Sequence, residues 1–246
     1  MATGFIAAAG CCMVAAAAAH GDDVRPVPAK VGGHAGPITA SLAPIAARYR
    51  VTISRRDASK RMRSVVETWT FERTERRITL VRGDIEEHWM RDERGTVRFE
   101  RVFHADQRVV DYTAGELATL GIDVSWDGLA TFVDARELAT LERVGESRAT
   151  QRYSGKAGSR SIAIEWSPQA GLPARLTRVS ANGRAQFELL ESHASAPASW
   201  PVAGVRSADY LHVDAADFGD MEYDAFVRKA EAFDVMAGWR KPHAHD

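Results

Sequence analysis

The chain has 246 residues, 45% hydrophobic and 26% charged, with a formal net charge of -1. This is the composition of an ordinary globular protein, and it excludes a global basic field for nucleic acid. The length suits one large β domain or two small ones.

Met1 to Ala19 carries no charged side chain, and the run from Phe5 to Ala19 reads as the apolar core of a secretory signal. Ala17, Ala18 and Ala19 before His20 meet the small-residue rule for cleavage, so residues 1–19 are expected to be a signal peptide and the mature protein periplasmic. A second reading takes Ala8-Ala9-Gly10-Cys11 as a lipoprotein box, with Cys11 acylated and the protein anchored to the outer membrane. Cys11 and Cys12 are the two cysteines, so a chain cleaved after Ala19 keeps no disulfide and no thiolate. Residues 20–44, rich in Gly, Pro and Ala, are expected to form a flexible leader, with a short helix over 42–47.

Alternating apolar and polar residues then predict strands over 48–54, 62–72, 76–81, 85–91, 96–104 and 107–113. Gly83-Asp84 and Arg94-Gly95 are turn signals between them. The period changes at Ala114. Leu117 with Leu120, Leu129 with Phe132 and Val133, and Leu138 with Leu141 predict helices over 115–121, 125–133 and 134–142, with Ser125 and Asp134 as N-caps. Strands resume over 143–147, 149–154, 160–166, 174–180 and 184–191, and Asn182-Gly183 predicts a two-residue hairpin with positive φ. An extended stretch over 205–213 precedes an amphipathic helix over 217–237, with Met221, Phe226, Ala230, Phe233 and Val235 on its apolar side.

The expected fold is mainly β (α+β): an unclosed antiparallel barrel, or strongly curved sheet, with short helices plugging the concave face and a C-terminal helix. Residues 45–200 would form the sheet domain, with a helical lid over 114–142. Residues 201–246 would form a C-terminal extension with a His-containing tail. Alternation gathers Val65, Trp69 and Phe71; Val97, Phe99 and Phe103; Ile162, Ile164 and Trp166; and Leu176, Phe187 and Leu189 on one face. That face is either a filled core or a partly filled concavity that admits an apolar ligand. Glu67 and Arg101 interrupt it. They could form a buried ion pair, or Arg101 could meet a ligand headgroup; the favoured reading sets both at the open rim or turned outward by a bulge.

The segment from Trp166 through Ser167-Pro-Gln-Ala-Gly171-Leu172-Pro173 to Leu176, with Asn182-Gly183 and Ala185 to Leu190, resembles an element of one periplasmic superfamily. These are the LolA/LolB-like lipoprotein-localisation factors, including the N-terminal domain of RseB-type sigma-factor regulators. The resemblance implies an unclosed β barrel with a helical lid and a hydrophobic cavity for acyl chains or lipid-modified partners, without a cofactor. The Arg-rich stretches 74–77 and 91–94 and the tail from Ala203 depart from that pattern.

Other chemistry is thinner. His243, His245 and Asp246, with His20, Asp22 and Asp23, offer imidazole and carboxylate ligands, but no pair has the spacing of a helical metal site. The cluster Asp214, Asp217, Asp220, Glu222 and Asp224 does not match a calcium loop and suits helix starts. His88 and His104 lie in strands, and Ser154 and Ser167 lack a Gly-x-Ser-x-Gly elbow. Trp89, Trp126 and Tyr112 read as packing. The expectation is therefore a non-enzymatic exported binding protein, with no cofactor, no metal and no nucleic-acid partner. It would hold an acyl chain or lipidated partner against Trp69, Phe71, Phe99, Arg101, Phe103, Trp166 and Phe187, with the 115–142 helices as a gate. The alternatives are a regulatory or assembly module that binds a protein through a sheet edge or the Arg-rich face, and an accessory protein that binds metal through its His tail.

Overall fold

The computed structural model describes residues 42–57, 59–200 and 207–240. The signal segment 1–19, the leader up to residue 41 and the His-containing tail from residue 241 lie outside the described residues. Within them the chain is mainly β, with an unclosed sheet and a few short helices, as the alternation predicts. It groups into two compact units, each assembled from separate stretches of chain. Elements are numbered in chain order.

The larger unit comprises 42–83 and 125–200. It contains β1 (Ile45–Arg56), β2 (Met62–Arg73) and β3 (Arg77–Arg82), then α2 (Trp126–Thr131) and α3 (Ala135–Ala139). β7 (Leu141–Glu146), β8 (Gln151–Ala157), β9 (Arg160–Ser167), β10 (Leu172–Ser180) and β11 (Gly183–His193) complete it. Its strand order is β3-β2-β1-β11-β10-β9-β8-β7. β1 pairs antiparallel with both β2 and β11, so Ala46 lies opposite Glu72 on one side and His193 on the other. That double pairing replaces the helix expected over 42–47: alanine favours a helix in isolation, but two neighbouring strands decide otherwise.

The hairpin between β10 and β11 is present, but not by the expected turn. Ser180 pairs with Gly183, so Ala181 and Asn182 make the turn, and neither Asn182 nor Gly183 takes a positive φ. Gly183 answers a different need: a Cβ there would lie 2.3 Å from the Ser54 carbonyl oxygen on β1.

The smaller unit comprises 84–124 and 207–240. It holds β4 (Ile85–Arg91), β5 (Val97–Phe103), β6 (Arg108–Tyr112), α1 (Ala114–Thr119), β12 (Leu211–Asp214) and α4 (Ala225–Met236). The order is β12-β6-β5-β4, and β12 runs parallel to β6. β12 and α4, which the sequence set apart as an extension, group with Asp84–Val124. α1 groups with the same unit, whereas α2 and α3 belong to the larger one.

The single helix expected over 217–237 is broken. A 3₁₀ turn over Ala215–Gly219 is capped by Asp214, and α4 starts afresh where the Asp224 side chain accepts from the Phe226 and Val227 amides. Two members of the acidic cluster are thus helix caps. Ser125 and Asp134 cap α2 and α3 as predicted.

Candidate functional site

The apolar face of the larger unit is built by register. Tyr49 lies opposite Trp69 and Ala47 opposite Phe71 between β1 and β2, while Val51 lies opposite Phe187 on β11. Phe187 lies opposite Leu176, and Leu176 opposite Ile164. Trp69, Phe71, Trp166 and Phe187, four of the seven residues nominated from the sequence, are buried on this face. Trp69 meets Phe187 edge-on with ring centroids 5.6 Å apart. The face runs out of cover towards the start of β2, where Val65 is 46% exposed despite its inward parity.

Between these rings sits a residue the sequence placed only in a helical stripe. Phe132 follows α2 with φ 62 and ψ 2, a left-handed conformation that is uncommon for a side chain of this size. Its ring centroid lies 4.5 Å from that of Phe71, 5.0 Å from Tyr49 and 6.1 Å from Phe187. Phe132 therefore fills the space between Tyr49, Phe71 and Phe187 on this face.

Two arginines, Arg73 buried and Arg178 half-buried, hold α2 and α3 there. Arg73 donates to the carbonyls of Ala43, Ala130, Ala170 and Gly171, tying the entry to β1, the end of α2 and the Gly-Leu-Pro turn to one guanidinium. Burial lowers its pKa to about 10, so it stays charged at neutral pH. Gly171 has φ +59, which explains glycine in that turn. Arg178 donates to Glu137 Oε2 at 2.6 Å and to the Phe132 carbonyl at 2.7 Å, and its Nη1 has no hydrogen-bond partner among the described residues. Tyr49 donates to the Pro173 carbonyl at 2.9 Å, and burial raises its pKa.

The other three nominated residues, Phe99, Arg101 and Phe103, belong to the smaller unit and lie under its C-terminal segment. Phe103 packs edge-on against Phe226 and Phe233 of α4, and Phe99 against Trp239. The rim reading of Arg101 is overturned. The side chain is 1% exposed, donates to Glu87 at 3.1 Å and to Asp234 at 2.8 Å, and stacks over Trp239 at 4.7 Å. Tyr112 also donates to Asp234, at 2.9 Å, and Arg240 reaches its second oxygen at 3.2 Å. Burial opposes the charge on Arg101, but Tyr112, Glu87 and Asp234 outweigh it and raise its pKa. The charges inside match, so inward burial is tolerable. Glu67 accepts from the Trp69 indole at 2.8 Å and is half-buried.

On the opposite face of β4, Glu86 lies 3.0 Å from His88 and 3.1 Å from His104, whose other nitrogen meets Tyr210 at 3.2 Å. Burial would raise the Glu86 pKa, but the two imidazoles outweigh it and lower it. Among the described residues no group of three or more His, Cys, Asp or Glu is placed to hold a metal ion. None of the described helices is long and apolar enough to cross a membrane. A groove of about 340 Å³ lies on the polar face of the larger unit, over β1, β10 and β11.

No family model matches the sequence, and no curated protein matches it. Solved structures do. MucB is found at 15% identity and a TM-score of 0.35, over 68% of this chain and 60% of MucB. PNGF-II is found at 12% and 0.35, over 72% of this chain and 33% of its own. A putative outer membrane lipoprotein-sorting protein domain from Vibrio parahaemolyticus is found at 4% and 0.29, over 63% of this chain and 87% of its own. The chain thus spans about 60% of MucB and a third of PNGF-II.

Proposed function

We propose that this is an exported, non-enzymatic binding protein of the periplasm that holds an acyl chain, free or on a lipidated partner, against the apolar face of its larger unit. The observation that carries this reading is Phe132. A strained, aromatic residue at the end of a two-helix lid occupies the place between Tyr49, Phe71 and Phe187. Withdrawal of α2 and α3 would vacate that place, with Trp69, Phe71, Trp166 and Phe187 as its walls. The Arg178 Nη1 donor, unpartnered among the described residues, offers a contact for a carboxylate or ester oxygen at the lid. Phe99, Phe103 and Arg101 are a poorer choice of wall, because access to them requires α4 to leave the Arg101–Asp234 ion pair.

Titration with a fluorescent fatty acid, alongside native mass spectrometry of protein taken from its own compartment, tests the reading. The full chain is expected to bind, and Phe132→Ala to bind about tenfold more tightly, since the guest no longer displaces an aromatic ring of comparable burial. Absence of binding by both proteins would refute it.

A protein partner is the second reading, and one observation favours it. β7 is an outermost strand of the larger unit, and Val144 on it is 57% exposed. An extended partner segment could add to that edge. Val144→Lys would then abolish capture of the partner while leaving acyl binding intact.

A further inference from the structure

Three hairpins of the larger unit end side by side. The strand order β2-β1-β11-β10-β9-β8 sets the β1–β2, β10–β11 and β8–β9 tips at one end of the sheet, and the registers keep them adjacent. Arg55 lies opposite Gly183, and Val179 opposite Ser161. Six strands at about 4.8 Å spacing make this row about 24 Å long.

Its charge is one-sided in a chain that is almost neutral. The β1–β2 tip carries Arg55, Arg56, Lys60, Arg61 and Arg63; the neighbouring tips add Arg184, and Lys156 with Arg160. Across 55–66, 156–161 and 178–184 the only acidic residue is Asp57. Its carboxylate is turned to internal work, accepting from the Ser59 and Arg61 amides and from Arg63. By contrast, the turns at the opposite end of these strands carry Glu75 and Glu146 among their arginines.

Apolar side chains stand among the cations. Met62 is 52% exposed, Val66 62% and Val179 41%. By alternation Met62 and Val66 fall on one face of the hairpin and Val65 on the other. Exposed valines and a methionine ringed by Arg and Lys suit the boundary between headgroups and acyl chains.

The groove on the polar face begins at this end. Arg184 lies opposite Ser54 in the row nearest the tip; Thr52, Gln186 and Thr177 form the next row, and Arg50, Glu188 and Arg175 the third. Glu188 pairs with both Arg50 and Arg175, whereas Arg184 has no ion-pair partner among the described residues. Arg175 also lies 3.9 Å from Glu165 beside the groove, so it is Arg184, with two hydroxyls and an amide behind it, that offers uncommitted donors for a phosphate.

We infer that the larger unit docks by this three-hairpin end on an anionic lipid bilayer, with a phosphate-bearing headgroup entering the groove behind Arg184. The docking surface is separate from the apolar face discussed above and does not depend on what that face binds.

Flotation of the full chain with vesicles of phosphatidylcholine alone, and with 30% phosphatidylglycerol, tests it. Binding is expected only to the anionic vesicles and is expected to fall steeply as salt rises. The double variant Arg56→Glu with Arg61→Glu, both exposed, should weaken binding at least tenfold, from about fivefold for each cation removed near a charged surface. Met62→Ser with Val66→Ser should weaken it while leaving the salt slope unchanged. Arg148→Glu, exposed in the turn between β7 and β8 at the opposite end, should leave it intact. Equal binding to neutral vesicles, no binding to either, or an equal loss with Arg148→Glu would overturn the proposal.

Discussion

Arg101 on β5 and Asp234 on α4 are 2.8 Å apart, and neither side chain is more than 1% exposed. The sheet of the smaller unit and its last helix are thereby joined by a charge pair sealed from water. Removing one partner leaves the other charged and buried, which costs far more than the pair contributes. Asp234→Ala is expected to destabilise the protein by about 3–5 kcal/mol in urea unfolding. The double variant Arg101→Met with Asp234→Leu should recover part of that loss. A cost below about 1 kcal/mol for Asp234→Ala would mean that the ion pair is not sealed as described.

The Glu86 carboxylate predicts an acid-side slope. Burial raises its pKa, but His88 and His104 outweigh burial and set the folded value below the ordinary one. A carboxylate lowered on folding adds stability that is fully present above the ordinary value, near 4.3, and is lost as pH falls through the folded value. The stability difference between the wild type and Glu86→Gln should therefore shrink as pH falls below about pH 4. Urea midpoints measured from about pH 5 downwards check it; a difference that grows with acid over that range would reverse the sign.

Arg73 serves four carbonyls at once. Arg73→Met removes those donors and leaves several acceptors without partners inside the larger unit. The expected loss is about 3 kcal/mol or more. Hydrogen exchange should locate it: amides of α2 and of the turn preceding Leu172 are expected to lose protection first, ahead of those in β1 and β11.

Two glycines give a matched pair. At Gly183 a Cβ would meet the Ser54 carbonyl oxygen at 2.3 Å, whereas at Gly219 nothing lies within 4 Å and φ is not in the left-handed region. Gly183→Ala should cost about 1–3 kcal/mol, the usual range for a forced close contact. Gly219→Ala should stay within about 0.5 kcal/mol. Thermal melts distinguish the two directly.

Strand parity was the legible part of this chain. Trp69, Phe71, Phe99, Phe103, Trp166 and Phe187 are all buried, as their alternation predicts, and Ser125 and Asp134 cap the helices that they precede. The inward arginines were half legible. Arg101 follows Phe99 by two residues, but so does Arg73 follow Phe71 and Arg178 follow Leu176, and each is directed to the apolar side by the same rule. Only their partners decide whether such a residue is tolerated, and those partners lie far off in sequence: Asp234 for Arg101, Glu137 for Arg178. Phe132 carried no signal for its conformation, because a left-handed phenylalanine is imposed by packing and not by local preference. Nor does any short-range pattern reveal that β1 pairs with β11, or that β12 runs parallel to β6.

The smaller unit is written in two instalments separated by most of the larger one. A chain emerging from the ribosome N-terminus first delivers Phe99, Arg101 and Phe103 long before Phe226, Phe233 and Asp234 exist to cover them. During that interval three aromatic strands stand open and Arg101 has Glu87 but not Asp234 beside it, a state that favours chaperone capture and misassociation. Completion of this half of the molecule is therefore timed by arrival of residues 207–240, a consequence of long loop closure that no local stabilisation can advance.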